Sequence, residues 1–227
     1  MQAPRIFVAV LSKDGRVALN FAMSMLAMQA TLARNGVAMS VATIDNCTIV
    51  GHGRNRLLGQ FLASQATHIL YIDDDMGWPA DAVMRLLASG HHFVGCTALR
   101  KEGPPARFAC RLSEPERRDG NGFVAAEGLG MCLTLLSRGC VESLVRRHEN
   151  LAYACPDTGA TLYNLFDTEL HNGQLQGNDY VFSRRWLEMG GEIWIDPVPV
   201  LDHVGTYTWS AALAEMIGMP ATAQAAE

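Results

Sequence analysis

The sequence predicts an α/β protein built on an open, mixed but mostly parallel sheet flanked by helices, with a back half rich in strands and loops. Three observations predict it. Short apolar, β-rich runs alternate with longer helical patterns over the first hundred residues, as a parallel sheet with helical crossovers requires. The apolar runs end in polar, carboxylate-bearing loops, the position where open α/β sheets bind ligands. No repeat, linker or low-complexity stretch splits the 227 residues, which suit one domain with a full core.

The elements follow in order. Ile6 to Leu11 is a β-rich run and the expected first strand, closed by the loop Ser12-Lys13-Asp14-Gly15. Val17 to Arg34 carries apolar residues at helical spacing (Leu19, Ala22, Met23, Leu26, Ala30) and stops at Asn35-Gly36. Val37 to Ile44 returns to strand and ends at Asp45-Asn46. Gly51-His52-Gly53-Arg54-Asn55-Arg56 reads as a loop entering a helix from Leu57 to Gln65. Its arginines at a helix start oppose the dipole unless an anion is bound there. Ile69 to Ile72 has no turn signal and reads as a strand buried on both faces. A helix is expected from Trp78-Pro79 to about Ala88, with Pro79 in its first turn, and a strand from His91 to Leu99.

The pattern then changes. Arg100 to Gly122 is polar, holds three prolines, and is expected to be a loop or a short hairpin. Phe123 to Leu136 reads as two strands around Gly128-Leu129-Gly130, where paired glycines allow close backbone approach to a ligand or to a neighbouring strand. Cys140 to His148 is expected as helix, Leu162 to Phe166 as strand, Tyr180 to Met189 as a helix N-capped by Asp179, and Glu192 to Ile195 as strand. Leu201 to Gly205 closes the predicted core, and an Ala-rich tail follows from 210 to 227.

Composition removes several classes of function. The net charge of −5 does not indicate a nucleic-acid surface, although a nucleic-acid acceptor is compatible with it. The six cysteines form no CxxC pair and read as small buried hydrophobes in a reducing compartment, not as a zinc ribbon. No apolar run approaches the roughly 20 residues a membrane span needs, and the first residues are strand-like, so a soluble, cytoplasmic protein is expected.

Chemistry concentrates at Asp73-Asp74-Asp75, directly after the apolar run from Ile69. Three like charges at a strand end repel one another, which is costly unless a cation sits among them. The same residues would also serve as a solvated turn before the next helix. Side chains alternate along a strand, so Asp73 and Asp75 are expected to share a face and Asp74 to turn away.

Four features occur together: the Asp-rich strand end, the upstream Arg54-Asn55-Arg56-Leu57-Leu58, the acidic start of a late helix at Asn178-Asp179-Tyr180, and His203-Val204-Gly205 near the C-terminus. This ordered set, with Trp78-Pro79, Gly190-Gly191 and Ile193-Trp194-Ile195-Asp196-Pro197, resembles the GT-A class of nucleotide-sugar glycosyltransferases. The match is closest to bacterial and phage family-2-like members and to the fungal mannan-polymerase type, and spans roughly residues 5 to 207. The resemblance implies a single catalytic domain over 1–209, with a nucleotide-binding half at 1–99 and an acceptor half at 100–209. It implies an Mn²⁺ or Mg²⁺ cofactor on Asp73, Asp75 and His203, and a UDP- or GDP-sugar donor. Ser12, Asp14, Asp45, Arg54, Asn55, Asp73, Asp74, Arg100 and Lys101 would surround that donor. Gly128, Leu129, Gly130 and Asn178 would lie on the acceptor side. Asp179 matches the general base of inverting members. Here Asn178 replaces the acid that often precedes that base.

The chemistry suits these residue types. A nucleoside diphosphate leaving group carries concentrated negative charge, which a hard cation on carboxylate oxygens neutralises. Mn²⁺ also accepts imidazole nitrogen. Two other readings are a sugar-nucleotide nucleotidyltransferase, which would want a Gly-rich basic loop where Ser12 to Gly15 stands, and a non-catalytic nucleotide-sugar-binding module, which would need no base at Asp179.

Overall fold

The computed structural model describes residues 3–102 and 105–219; Pro104 and residues 220–227 of the expected tail lie outside the described residues. The front of the chain alternates strand and helix: β1 (Arg5–Leu11), α1 (Leu19–Arg34), β2 (Ala38–Ile44), α2 (Val50–Ala63), β3 (His68–Asp73), β4 (Met76–Gly77), α3 (Ala82–Ser89) and β5 (Phe93–Cys96). Strands dominate the back: β6 (Cys110–Leu112), β7 (Val124–Leu129), β8 (Leu133–Ser137), α4 (Arg138–Arg147), β9 (Ala152–Ala154), β10 (Thr161–Tyr163), β11 (Glu169–His171), β12 (Gln174–Gln176), α5 (Asn178–Leu187), β13 (Ile193–Ile195), β14 (Leu201–Val204), β15 (Thr208–Ala211) and the single turn α6 (Leu213–Met216).

One eight-stranded sheet, in the order β2-β1-β3-β8-β5-β13-β7-β6, organises the molecule. β1 pairs parallel with β2 and β3, and β5 pairs parallel with β13, while β8 and β7 enter antiparallel. Most strands therefore point one way in a sheet whose pairing is mixed, and the expected α/β class with a strand-rich back half is what the chain adopts.

Alternation along the strands produces the layers. Phe7, Ala9, Ile69 and Tyr71 face Leu57, Leu58 and Phe61 of α2, Val141 and Leu144 of α4, and Phe182 of α5. Ile6, Val8, Val10, Leu70 and Ile72 face Phe21, Met28 and Leu32 of α1 and Val83 and Leu86 of α3. Each strand residue is buried against one helical layer or the other, so apolar runs without alternation are what the central strands require.

Two expected boundaries move. α2 starts at Val50, not Leu57, so its glycines lie within the helix. A Cβ at Gly53 would stand 2.3 Å from Leu11 Cδ1, and one at Gly51 would stand 2.6 Å from the Phe166 carbonyl oxygen. These glycines are packing devices that let the helix press on the end of β1 at Gly53 and on the Phe166 backbone at Gly51, and they mimic a loop in the sequence. The chain end also continues past the expected core. β15 pairs antiparallel with β14, which pairs with β4, and Leu213 beyond it is buried.

Candidate active site

Register brings the carboxyl ends of three strands into line. Leu11 pairs with Ile44 on one side and with Asp73 on the other, so the residues after them, Ser12, Asp45 and Asp74, form one edge. Ser12 is buried. Its hydroxyl donates to the Arg16 carbonyl at 2.9 Å and accepts from the Arg16 N–H at 3.1 Å, which folds the loop back on itself. Asp14 accepts from the same N–H at 3.2 Å, and Asp45 accepts from Asn46 Nδ2 at 3.3 Å; both are exposed at this edge.

β3 ends at Asp73, and the chain turns at once into β4. The strict alternation expected across Asp73-Asp74-Asp75 is therefore lost, and the three carboxylates go to three places. Asp74 lies beside the Ser12 hydroxyl and the Lys13 backbone. Burial raises its pKa, and repulsion from Asp75 and Asp73 adds to that, against the lowering effect of those two groups.

Asp73 turns toward α2. Arg54, 4% exposed, donates through one terminal nitrogen to Asp73 Oδ1 at 3.0 Å. Its other terminal nitrogen bonds Asn178 Oδ1 at 2.5 Å and Asp179 Oδ1. Arg54 was expected at a helix start facing phosphates; it lies in the second turn of α2 instead and clamps β3 to the start of α5. Asn55 is corrected more sharply. It is fully buried, donates to Asn164 Oδ1 and the Phe166 carbonyl, and accepts from the Phe166 N–H at 2.9 Å, so it holds the 164–166 segment and faces no ligand.

Asp75 turns the other way. One oxygen, Oδ2, pairs with Lys101. The other, Oδ1, is buried without a hydrogen-bond partner and faces His203 Nε2 across 3.7 Å. The Val204 N–H donates to the Asp75 carbonyl at 2.8 Å and His203 is in register with Met76, so β14 fixes this approach through its backbone. His203 Nδ1 lies 2.6 Å from the Leu99 carbonyl, which can only accept, so Nδ1 is engaged there as a donor and Nε2 is the nitrogen turned toward Asp75. The ring nitrogen and the carboxylate oxygen are both of the kinds that ligate divalent metals. The gap exceeds hydrogen-bond range yet falls within the span of two metal–ligand bonds of about 2.1 Å. Asp75 and His203 thus fit a divalent ion. Asp73 does not complete the expected triple: Asp73, Asp75 and His203 do not form a set whose ligand atoms all lie within 4.8 Å of one another.

Asp179 occupies the first turn of α5, whose N-cap is Gly177, so it is not the expected N-cap. Its negative charge suits that turn. Besides Arg54, it accepts the Met131 N–H on Oδ2 at 3.3 Å. The expected acceptor-side glycines serve α5 as well. A Cβ at Gly128 would stand 2.4 Å from the Tyr180 ring, and one at Gly130 would stand 3.0 Å from the Ala109 carbonyl and 3.7 Å from Asp179 Oδ2. Leu129 is buried and its N–H donates to Ser183 Oγ at 3.3 Å. Gly128 thus seats an aromatic ring, and only Gly130 borders the Asp179 carboxylate. Arg100 reaches the Tyr180 hydroxyl at 3.3 Å, and Lys101 is held by Asp75.

Residues that the sequence reading did not single out complete the site: Met131 through its N–H, Leu99 through its carbonyl, and Tyr180 as the ring between Arg100 and Gly128. The first two act through backbone, which no side-chain pattern reveals. Among the described residues, no helix is long and apolar enough to cross a membrane.

No protein-family profile matches the chain, and no curated protein matches its sequence. Solved structures do. A197 from STIV superposes with a TM-score of 0.53 at 14% identity, over 92% of this chain and 90% of that one. The shared property is the fold, a mixed α/β architecture. TarS from S. aureus aligns over 92% of this chain but only 36% of its own length, at 13% identity and a TM-score of 0.43, a likeness that carries no argument.

Proposed function

We propose that this protein is a metal-dependent glycosyltransferase that takes a sugar from a nucleoside diphosphate donor. The observation that carries the reading is the buried, unpartnered Asp75 Oδ1 facing His203 Nε2 at the carboxyl edge of the sheet, with Asp179 tied to the same strand end through Arg54. In this reading Asp75 and His203 hold Mn²⁺ or Mg²⁺, which when bound offsets the charge of the departing diphosphate. Ser12, Asp14 and Asp45 line the edge where the nucleoside lies. Lys101 and Arg100 are the positive charges that would meet the diphosphate.

Asp179 takes the proton of the acceptor hydroxyl as that oxygen attacks the anomeric carbon, so the product is inverted. Arg54 and the Met131 N–H hold its carboxylate in place and leave lone pairs on both oxygens for that proton. Arg54 itself acts through Asp73 and Asp179 as a positioning residue.

A panel of UDP- and GDP-sugars tested with Mn²⁺ or Mg²⁺ decides the matter. The expected result is a metal-dependent rise in thermal midpoint with a nucleoside diphosphate, and slow donor hydrolysis. No stabilisation by any nucleoside diphosphate with metal would sink the proposal.

A further inference from the structure

Outside this site, His52, Cys155 and Asp157 converge, each offering one ligand atom, and all three atoms lie within 4.8 Å of one another. It is the one such grouping of three among the described residues. His52 stands in the first turn of α2, and Cys155 and Asp157 lie on the β9–β10 connection, Cys155-Pro156-Asp157-Thr158-Gly159. We infer that these three side chains form a second metal site, selective for a zinc-like borderline-soft divalent ion, that ties the start of α2 to the β9–β10 connection.

The donor chemistry makes the choice of ion. Thiolate, imidazole and carboxylate together are zinc ligands, whereas Mg²⁺ avoids sulfur and prefers oxygen donors alone. The sulfur is prepared for this role. Cys155 is 3% exposed, so its thiol does not meet bulk solvent freely. The turn that carries it is closed by the Gly159 N–H, which donates to the Cys155 carbonyl at 2.8 Å. The imidazole is oriented as well. His52 Nδ1 lies 3.0 Å from the Tyr153 hydroxyl, the kind of second contact that fixes a ligating ring. Asp157 spends one oxygen, Oδ2, on Arg56 at 3.3 Å and keeps the other. A cleft of about 220 Å³ lined by Arg56, Gly59, Cys155, Thr158 and Leu162 adjoins the cluster and has room for a fourth, exogenous ligand.

The position gives such an ion a structural consequence. His52 precedes Arg54 by two residues on the same helix, and Arg54 is the clamp on Asp73 and Asp179. β10, which follows that connection, packs on α2 closely enough that a Cβ at Gly59 would stand 2.6 Å from Leu162 Cδ2. An ion joining His52 to Cys155 and Asp157 would anchor the first turn of α2 to the β9–β10 connection, two residues ahead of Arg54.

The test uses the full chain. After stripping with chelator and reloading with Zn²⁺ or Co²⁺, metal content is measured by mass spectrometry and the cobalt form by absorption. The expected result is one tightly held zinc per chain, a thiolate-to-cobalt charge-transfer band, and a higher thermal midpoint with Zn²⁺ but not Mg²⁺. Cys155→Ser loses the band and the ion, and Tyr153→Phe, which keeps all three ligands, weakens zinc binding by about tenfold. His203→Ala retains the zinc, which separates this site from the proposed donor-metal site whatever the fate of that proposal. Wild-type protein that holds no zinc and shows no charge-transfer band would overturn the inference without recourse to any variant. So would zinc that is lost in His203→Ala yet unaffected in a folded Cys155→Ser.

Discussion

Asp73 and Asp75 are two residues apart, yet they live under opposite conditions. Asp73 has its charge met inside the protein, by a guanidinium that also holds Asp179 and Asn178. Asp75 has one oxygen on Lys101 and the other buried opposite an imidazole nitrogen. The first arrangement is complete without a ligand and works as scaffold. The second leaves one buried carboxylate oxygen without a hydrogen-bond partner. The contrast teaches that adjacent acidic residues should be sorted by what already satisfies them, since a carboxylate already paired with a buried Arg has little reason to recruit a metal.

The contrast breaks most visibly at Asp179. Asp179→Asn keeps the shape and the hydrogen-bond acceptor on Arg54, so the fold should persist while turnover falls by on the order of a thousandfold, read from initial rates with the matched donor. Unchanged turnover would favour a non-catalytic binding module. Arg54→Ala leaves Asp73 and Asp179 without their shared cation and should cost about 3 kcal/mol in urea unfolding, with donor binding impaired as a consequence. A loss below about 1 kcal/mol would show that the clamp is not structural.

His203→Ala should behave in the reverse sense. The metal-free stability should change by less than about 1 kcal/mol, while the stabilisation by Mn²⁺, about 2.7 kcal/mol at a hundredfold excess over Kd, should vanish. Asp73→Asn should keep that Mn²⁺ effect, and its loss there would erase the distinction between the two carboxylates. The smallest effect concerns pH and the far end of β3. Burial, with His92 nearby, lowers the pKa of His68, and burial also lowers that of His148, next to Arg185 and Arg147. Both histidines take up protons more readily when unfolded. Their contribution is fully present above the usual imidazole value of about 6.5 and is lost as pH falls below it. Unfolding midpoints between pH 7.5 and 5.5 should therefore decline, and His68→Gln should flatten the decline.

Much of the front half was legible because its elements are set by local rules. The helix ending at Asn35-Gly36 and the strand from Ile69 need only periodicity and a stop signal, and they lie where the sequence put them. Gly51 and Gly53 misled for a physical reason: the same residue type serves a loop and a tight helix–strand contact, and only the neighbours Leu11 and Phe166 distinguish the two. The hairpin of β11 and β12 was missed because its three-residue strands carry exposed Leu170 and Leu175 with no buried face to create a pattern.

By itself, the sequence determined the α/β class and the run of carboxylates at a strand end, and it offered Arg54, Asp179 and His203 as candidates, because periodicity and residue chemistry are local properties. The tertiary structure alone decided that Asp73 belongs to Arg54 and Asp75 to His203, since that division depends on where α2, α5 and β14 cross the sheet edge. It also decided that His52, Cys155 and Asp157 meet, because more than a hundred residues separate His52 from the other two and no spacing rule spans that distance.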